Sequence, residues 1–64
     1  NISVAGRSVI YRGAAGQNVS VVSLAGITIA NALTDAAGVA EIELPSAGLF
    51  IIVSPEGSRK VSIR

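Results

Sequence analysis

Apolar and polar residues alternate, with a period of two, along most of this chain. The alternation is clearest where Ile42 and Leu44 are interleaved with Glu41 and Glu43. Because successive side chains of a β-strand point to opposite faces, this pattern predicts strands with one buried and one hydrated face. The same pattern predicts core positions at Val9 and Tyr11, Val19 and Val21, Ile27 and Ile29, and Val61 and Ile63.

Glycine-containing turns separate the alternating segments. An Ala-Gly pair stands at 5–6, 15–16, 25–26, 37–38 and 47–48, and Pro55-Glu56-Gly57 supplies one more break. Turn signals at steps of roughly 8–12 residues are typical of a sandwich or barrel, whereas solenoid repeats usually run to about 20 residues or more. We predict about seven short strands, at residues 2–4, 7–12, 18–24, 27–32, 39–44, 48–53 and 58–63. The predicted fold is all-β, a small Ig-like antiparallel β-sandwich in which residues 1–64 form a single domain.

Two segments depart from simple alternation. Residues 49–53 are apolar at every position, so we predict a central strand that is covered on both faces. Residues 29–37 are rich in Ala, the best helix former, and Gly38 would suit the position just after a helix. So short a segment does not become helical by propensity alone, and its neighbours are strands. A strand followed by a loop is therefore favoured over a helix.

The composition is that of a small strand-rich core. The chain has 64 residues, is 50% hydrophobic and 14% charged, and has Tyr11 and Phe50 as its only aromatic residues. A domain of this size buries only about 60% of the surface of its unfolded chain, so it depends on dense apolar packing. Most of the apolar residues are Val, Ile, Ala and Leu, and β-branched side chains pack well on a pleated surface.

The absence of Cys and His, together with a net charge of +1, narrows the possible functions. Disulfides and thiolate metal sites are excluded, and the commonest general base and metal ligand is missing. A net charge of +1 is too small for a nucleic-acid-binding surface, which needs clustered Lys and Arg. No apolar run approaches the roughly 20 residues of a transmembrane helix. We therefore expect no cofactor, no metal, no nucleic-acid partner, no transmembrane segment and no small-molecule ligand. The chain starts with Asn1 and not with a signal peptide, so we expect a piece of a longer protein.

Each candidate for catalysis or metal binding has a simpler structural interpretation. A Ser nucleophile activated by Lys60 is disfavoured, because Lys60 falls on a strand that looks exposed and no His accompanies it. Glu41 and Glu43 lie about 7 Å apart on one strand face, which is also the pattern of a hydrated face. We interpret Asp35 as an Asx-turn residue, and residues 13–18 as a hairpin turn, since a phosphate loop would end in Lys-Ser/Thr. We expect no enzymatic activity.

Basic residues near the end of the chain are the only local charge bias. They are Arg59, Lys60 and Arg64. Basic side chains keep an edge strand soluble and discourage edge-to-edge pairing, and the charge pattern alone favours that role. The alternative is that these residues form part of a recognition tail.

Five segments of the chain follow one another in a distinctive order. They are 3–9 and 13–21 at the start, 22–26 at a hydrophobic-x-Gly turn, 44–53 with Leu-Pro followed by Gly and an apolar run, and 58–64 at a closing basic-aliphatic strand. In this order they resemble the C-terminal sorting domains of Bacteroidetes surface and secreted proteins, whose most recognisable element is Leu-Pro-x-Gly-aliphatic-Tyr-aliphatic-Val. Phe50 stands where Tyr is typical, and Ile27 where the family usually has Arg or Lys. The Tyr-Pro-Asn-Pro motif that opens the family's domains is absent.

The resemblance implies an Ig-like β-sandwich at the C-terminus of an exported protein, found at the outer membrane, on the cell surface or outside the cell. It also implies a partner in the outer membrane, the type IX secretion machinery, which reads the domain as an address. The matching recognition positions are Leu44, Pro45, Gly48, Phe50, Lys60 and Arg64. The alternatives are a structural Ig-like spacer or adhesive module of a bacterial surface protein, and an accessory carbohydrate-binding module with Tyr11 as its aromatic platform.

Overall fold

Seven strands and no helix make up the structure, a computed structural model that describes residues 1–64. The strands are β1 (Ile2–Ala5), β2 (Ser8–Arg12), β3 (Asn18–Ser23), β4 (Thr28–Leu33), β5 (Val39–Glu43), β6 (Gly48–Ser54) and β7 (Gly57–Ile63). Each strand lies where alternation and turn signals predict it, with no boundary displaced by more than one residue. The all-β prediction is confirmed.

The strands form a two-layer sandwich. The three-stranded sheet has the order β1-β2-β5, the four-stranded sheet has the order β4-β3-β6-β7, and all neighbours are antiparallel. Hairpins join β1 to β2, β3 to β4 and β6 to β7, whereas the chain changes sheet between β2 and β3, β4 and β5, and β5 and β6. In an Ig constant-type domain the fourth strand lies in the sheet of the first, second and fifth. Here β4 has moved to the other sheet, beside β3.

The core is a single cluster to which both sheets contribute. Its buried residues are Val9, Tyr11, Val19, Val21, Ala40, Ile42, Leu44, Phe50, Ile52, Val61 and Ile63. Eight of these are residues for which strand alternation predicts burial. Glu41 and Glu43, on the opposite face of β5, are exposed as predicted. Alternation therefore identified the buried face of four strands.

Strand β4 faces the core with a different set of residues from the predicted one. Ile27 and Ile29 are 63% and 37% exposed, while Ala30 and Ala32 pack against the core. Ile27 belongs to the β3–β4 turn, because β4 begins only at Thr28. Since β4 contacts β5 of the other sheet, the two layers come close at this edge, and small Ala side chains fit between them.

The prediction that residues 49–53 are covered on both faces is wrong. Strand β6 is central in the lateral sense, because it pairs with β3 on one side and β7 on the other. Its alternate residues Phe50 and Ile52 are buried, but Leu49 and Val53 are 46% and 39% exposed. The sandwich has only two layers, so nothing covers the outer face of this strand.

Residues 13–18 are not the predicted hairpin turn, because β2 and β3 belong to different sheets. This segment crosses between the layers and is tied to the β4–β5 connection. The N–H of Gly13 donates to the carbonyl of Gly38 (2.8 Å), and the N–H of Gly16 donates to the carbonyl of Thr34 (3.2 Å). Gly38 has φ +79°, and a Cβ on it would overlap the carbonyl oxygen of Gly13. Only glycine fits where these two crossings meet.

The Ala-rich segment 29–37 is a strand followed by a loop, so the helical alternative is wrong. After β4 ends, Oδ1 of Asp35 accepts hydrogen bonds from the N–H groups of Ala37 (2.9 Å) and Val39 (3.0 Å). The carbonyl of Asp35 also accepts a hydrogen bond from the N–H of Gly38 (2.9 Å). This arrangement is the Asx turn expected of Asp35.

Candidate recognition edge

Strand β7 forms one lateral edge of the four-stranded sheet. It pairs with β6 along its whole length, from Gly57 opposite Ser54 to Ile63 opposite Gly48, and its other side has no strand beside it. In an antiparallel pair, alternate residues direct their N–H and C=O groups away from the partner. The outer side of β7 therefore presents a row of backbone donors and acceptors.

Basic side chains concentrate on and just after this strand. Arg59, Lys60 and Arg64 are three of the five basic residues in the chain, and no acidic residue lies between 57 and 64. All three are exposed, and none takes part in a side-chain hydrogen bond within the domain. We refer to strand β7 with Lys60 and Arg64 as the basic edge.

The β5–β6 connection lies at the same end of the sandwich as the end of β7. Gly48 is directly opposite Ile63, the last residue of β7, and Arg64 follows Ile63 in the chain. Pro45 is exposed in this connection. Lys60 lies farther along, opposite Ile51 in the middle of β6. The structure thus brings Pro45, Gly48 and Arg64 to one end and places Lys60 along the strand.

Two of the residues identified by the family resemblance face the core. Leu44 and Phe50 are 3% and 6% exposed. The N–H of Leu44 donates to the carbonyl of Arg7 (2.8 Å), which joins the end of β5 to the β1–β2 turn, and Phe50 lies opposite Val61 of β7. Both side chains support the strands and are not available for direct contact.

Sequence reasoning missed the apolar outer surface of the sheets. The exposed large apolar residues are Val4, Leu24, Ile27, Ile29, Leu33, Leu49 and Val53. Leu49 and Val53 lie on the outer face of β6, and Ile29 and Leu33 belong to β4, the opposite edge of that sheet. The uninterrupted apolar run at 49–53 was the signal for this surface, because a strand in a two-layer sandwich has only one face to bury.

Apart from the basic edge, the structure bears on three other kinds of site: a sugar platform, a metal centre and a surface pocket. Tyr11 is 2% exposed and its hydroxyl donates to Oε1 of Gln17 (3.1 Å), so it cannot serve as the sugar platform considered for a carbohydrate-binding module. No cluster of three or more His, Cys, Asp or Glu residues is placed to hold a metal ion. The one surface depression, of about 200 Å³, is shallow and lies between the start of β1 and the β6–β7 hairpin.

Comparisons with known proteins provide no relative for this chain. No family model, no curated protein and no solved structure matches it. The structure also contains no helix of the length and hydrophobicity required to cross a bilayer. The fold and the residues at its edges are therefore what indicates a function for this chain.

Proposed function

We propose that this chain is a non-catalytic C-terminal sorting or anchoring domain, recognised by an outer-membrane secretion system of the type IX kind. Its parent protein would be exported to the outer membrane, the cell surface or the medium. The observation that carries the proposal is the position of β7, a lateral edge strand with exposed basic side chains. The order of sequence segments that resemble the sorting-domain family supports the same function.

Recognition would occur by strand addition. An extended segment of the secretion partner pairs with the outer side of β7 through main-chain hydrogen bonds, which supply affinity independently of side-chain identity. The charges of Lys60 and Arg64 then select a partner with acidic side chains and speed its approach. No cofactor, metal or small molecule takes part in this mode of binding.

Three of the remaining recognition residues, Leu44, Gly48 and Phe50, act by holding the basic edge in place. Phe50 and Leu44 fill the core beneath the two sheets, and Phe50 lies opposite Val61 of β7. Gly48 has φ +142°, a conformation that other residues rarely adopt, at the point where β6 begins. Pro45 is exposed in the same connection and can touch a partner that reaches the end of β7.

The test uses a reporter protein fused ahead of residues 1–64 in a type IX-competent bacterium. Wild-type fusion is secreted, whereas Lys60→Glu with Arg64→Glu lowers secretion by roughly tenfold or more, because it places like charges against an acidic partner. Charge reversal is preferable to deletion of β7, since Val61 and Ile63 belong to the core and their loss would unfold the domain.

The matched control is Arg7→Glu with Arg12→Glu. It changes the net charge by the same amount, but these exposed residues lie outside β7, so the control fusion is secreted like the wild type. Wild-type fusion retained in the periplasm contradicts the proposal. So does equal secretion of the β7 variant and the wild type.

A structural Ig-like spacer or adhesive module is the second candidate. The exposed apolar residues Leu49 and Val53 on the outer face of β6 favour it, because such a face can pack against a neighbouring domain. A spacer carries no export signal. The reporter fusion would then remain in the periplasm with every variant, wild type included.

A further inference from the structure

We propose that copies of this domain associate head to tail, with the basic edge of one copy paired to the acidic edge of the next. The acidic edge is strand β5, which is the outer strand of the three-stranded sheet and carries exposed Glu41 and Glu43 with no basic residue. This inference concerns a second copy of the chain and does not depend on the proposed sorting function.

The charges on the two edges determine which pairing is favoured. Like charges directly opposite one another on paired strands are destabilising, whereas opposite charges are stabilising. Two basic edges would place Lys60 and Arg64 against one another, and two acidic edges would do the same with glutamates. Pairing of β7 with β5 instead matches positive with negative side chains. Two-fold symmetric dimers through a single edge are therefore disfavoured, and the unlike pairing is favoured.

The directions of the strands permit this pairing. Short connections link every successive pair of strands, so strand direction alternates along the chain and β5 and β7 run the same way. A neighbouring copy can be turned by 180° about an axis that lies in the plane of the sheets and is perpendicular to the strands. Its β7 then runs antiparallel to β5 of the first copy. It also brings the four-stranded sheet of that copy into the layer of the first copy's three-stranded sheet.

The same placement also brings edge strands of the two copies together in the second layer of the sandwich. The starts of β1 and β7 lie on one side of the sandwich, where Ile2 and Arg59 line a common depression, while β4 contacts β5 at the other side. The turned copy therefore sets its β1 beside β4.

One register satisfies both faces of the new strand pair. With Glu43 opposite Lys60, the inward-facing Ile42 lies opposite Val61, and the cores of the two copies form one continuous layer. Lys60 is then also the diagonal neighbour of Glu41, within reach of a long side chain. In this register Glu41 lies opposite Ser62 on the outward face, and Ala40 lies opposite Ile63 on the inward face.

Head-to-tail pairing leaves an unused β7 at one end of each assembly and an unused β5 at the other. Such a contact continues to add copies unless it closes into a ring. Assembly is concentration-dependent, and it weakens with salt because its charges are exposed. A β7 strand occupied in this way is not available to any other strand.

Engineered cysteines test the pairing directly, because the chain has no cysteine of its own. Directly opposite residues on antiparallel strands have Cα atoms about 4.5–5.5 Å apart, within the range that a disulfide spans. Under mild oxidation at about 0.5 mM protein, a mixture of Ser62→Cys and Glu41→Cys, which are opposite one another in this register and leave Lys60 and Glu43 in place, is expected to form a disulfide-linked heterodimer. Each variant alone stays uncrosslinked, since its cysteine faces an unmodified residue.

The control mixture combines Ser62→Cys with Arg12→Cys, whose cysteine lies on the interior strand β2, and it yields no crosslink. Sedimentation of the unmodified chain gives the second readout, a mean mass that rises with concentration and an association at least about threefold weaker in high salt. In a two-fold pairing of β7 with Lys60 opposite Arg64, residue 62 faces its own copy, so a disulfide homodimer of Ser62→Cys alone would overturn the proposal. A chain that stays monomeric up to about 1 mM would also overturn it.

Discussion

Thr34 is the only polar residue whose side chain the fold buries, and its hydroxyl joins two connections between the sheets. The hydroxyl donates to the carbonyl of Ala14 (2.7 Å) and accepts from the N–H of Gln17 (2.8 Å). The N–H of Thr34 donates in turn to the carbonyl of Gln17 (2.9 Å). One side chain thus satisfies two backbone groups of the β2–β3 crossing, which would otherwise lack partners.

We predict that Thr34→Val lowers the free energy of unfolding by about 2–4 kcal/mol, because it keeps the shape of the side chain and leaves a partly buried N–H and C=O unpaired. Thr28→Val is the matched control. Thr28 is exposed at the start of β4, so its replacement changes stability by no more than about 0.5 kcal/mol. Urea unfolding of both variants measures the difference, and equal losses would contradict the role assigned to Thr34.

The candidate site illustrates how residue type and residue position differ in predictability. The charges of Lys60 and Arg64 can be read from the sequence because charge is a property of the residue itself. The burial of Leu44 and Phe50 depends on which strands cover them, and it excludes both side chains from direct contact with a partner. Thr34 gave no sequence signal, since a threonine between a strand and an Asx turn is ordinarily exposed.

At the level of elements, strand β6 shows how one strand serves two environments. Its residues Phe50 and Ile52 face the core, and its residues Leu49, Ile51 and Val53 face outward. The apolar outer residues do not reflect a second buried layer. They provide β-propensity and cross-strand contacts, such as Ile51 opposite Val22 of β3.

We predict that Ile52→Val lowers the free energy of unfolding by about 1 kcal/mol, the usual effect of removing one buried methyl group. Ile51→Val makes the same chemical change one residue earlier, on the half-buried outer face, and costs less than half as much. Thermal or urea unfolding of the two variants checks this prediction. Equal losses would indicate that the outer face of β6 is covered.

The positions of the elements were predictable because their signals are local. Glycines at the turns and the period-two pattern located all seven strands to within one residue. The lateral order of the strands has no comparable local signal. Backbone hydrogen bonds are the same for every residue, so a ladder does not encode its partner, and β7 could be identified as an edge only from the assembled sheet.

For the whole molecule, a single core across both sheets determines how it unfolds. The eleven buried residues form one cluster drawn from β2, β3, β5, β6 and β7 and from the residue after β5. Neither sheet has a core of its own, because each contributes one wall. Loss of either sheet exposes the buried face of the other.

We therefore predict a single cooperative unfolding transition, with an m-value of about 1 kcal/mol per molar urea, as expected for a chain of this size. Tyr11 is buried and is the only Tyr in a chain that has no Trp, so its fluorescence reports on the core. Its transition should coincide with that of the β-sheet signal in circular dichroism. Separate transitions would show that one sheet persists without the other.

The sequence by itself determined the all-β class, the number and limits of the strands, and the buried face of most of them. These properties follow from side-chain alternation and turn chemistry, which act over a few residues. Only the tertiary structure decided that β4 joins the four-stranded sheet, that residues 13–18 cross between layers, and that β5 and β7 are edges of opposite charge. Those outcomes depend on packing between residues distant in the chain, and the chain folds to the pairing that closes one shared core.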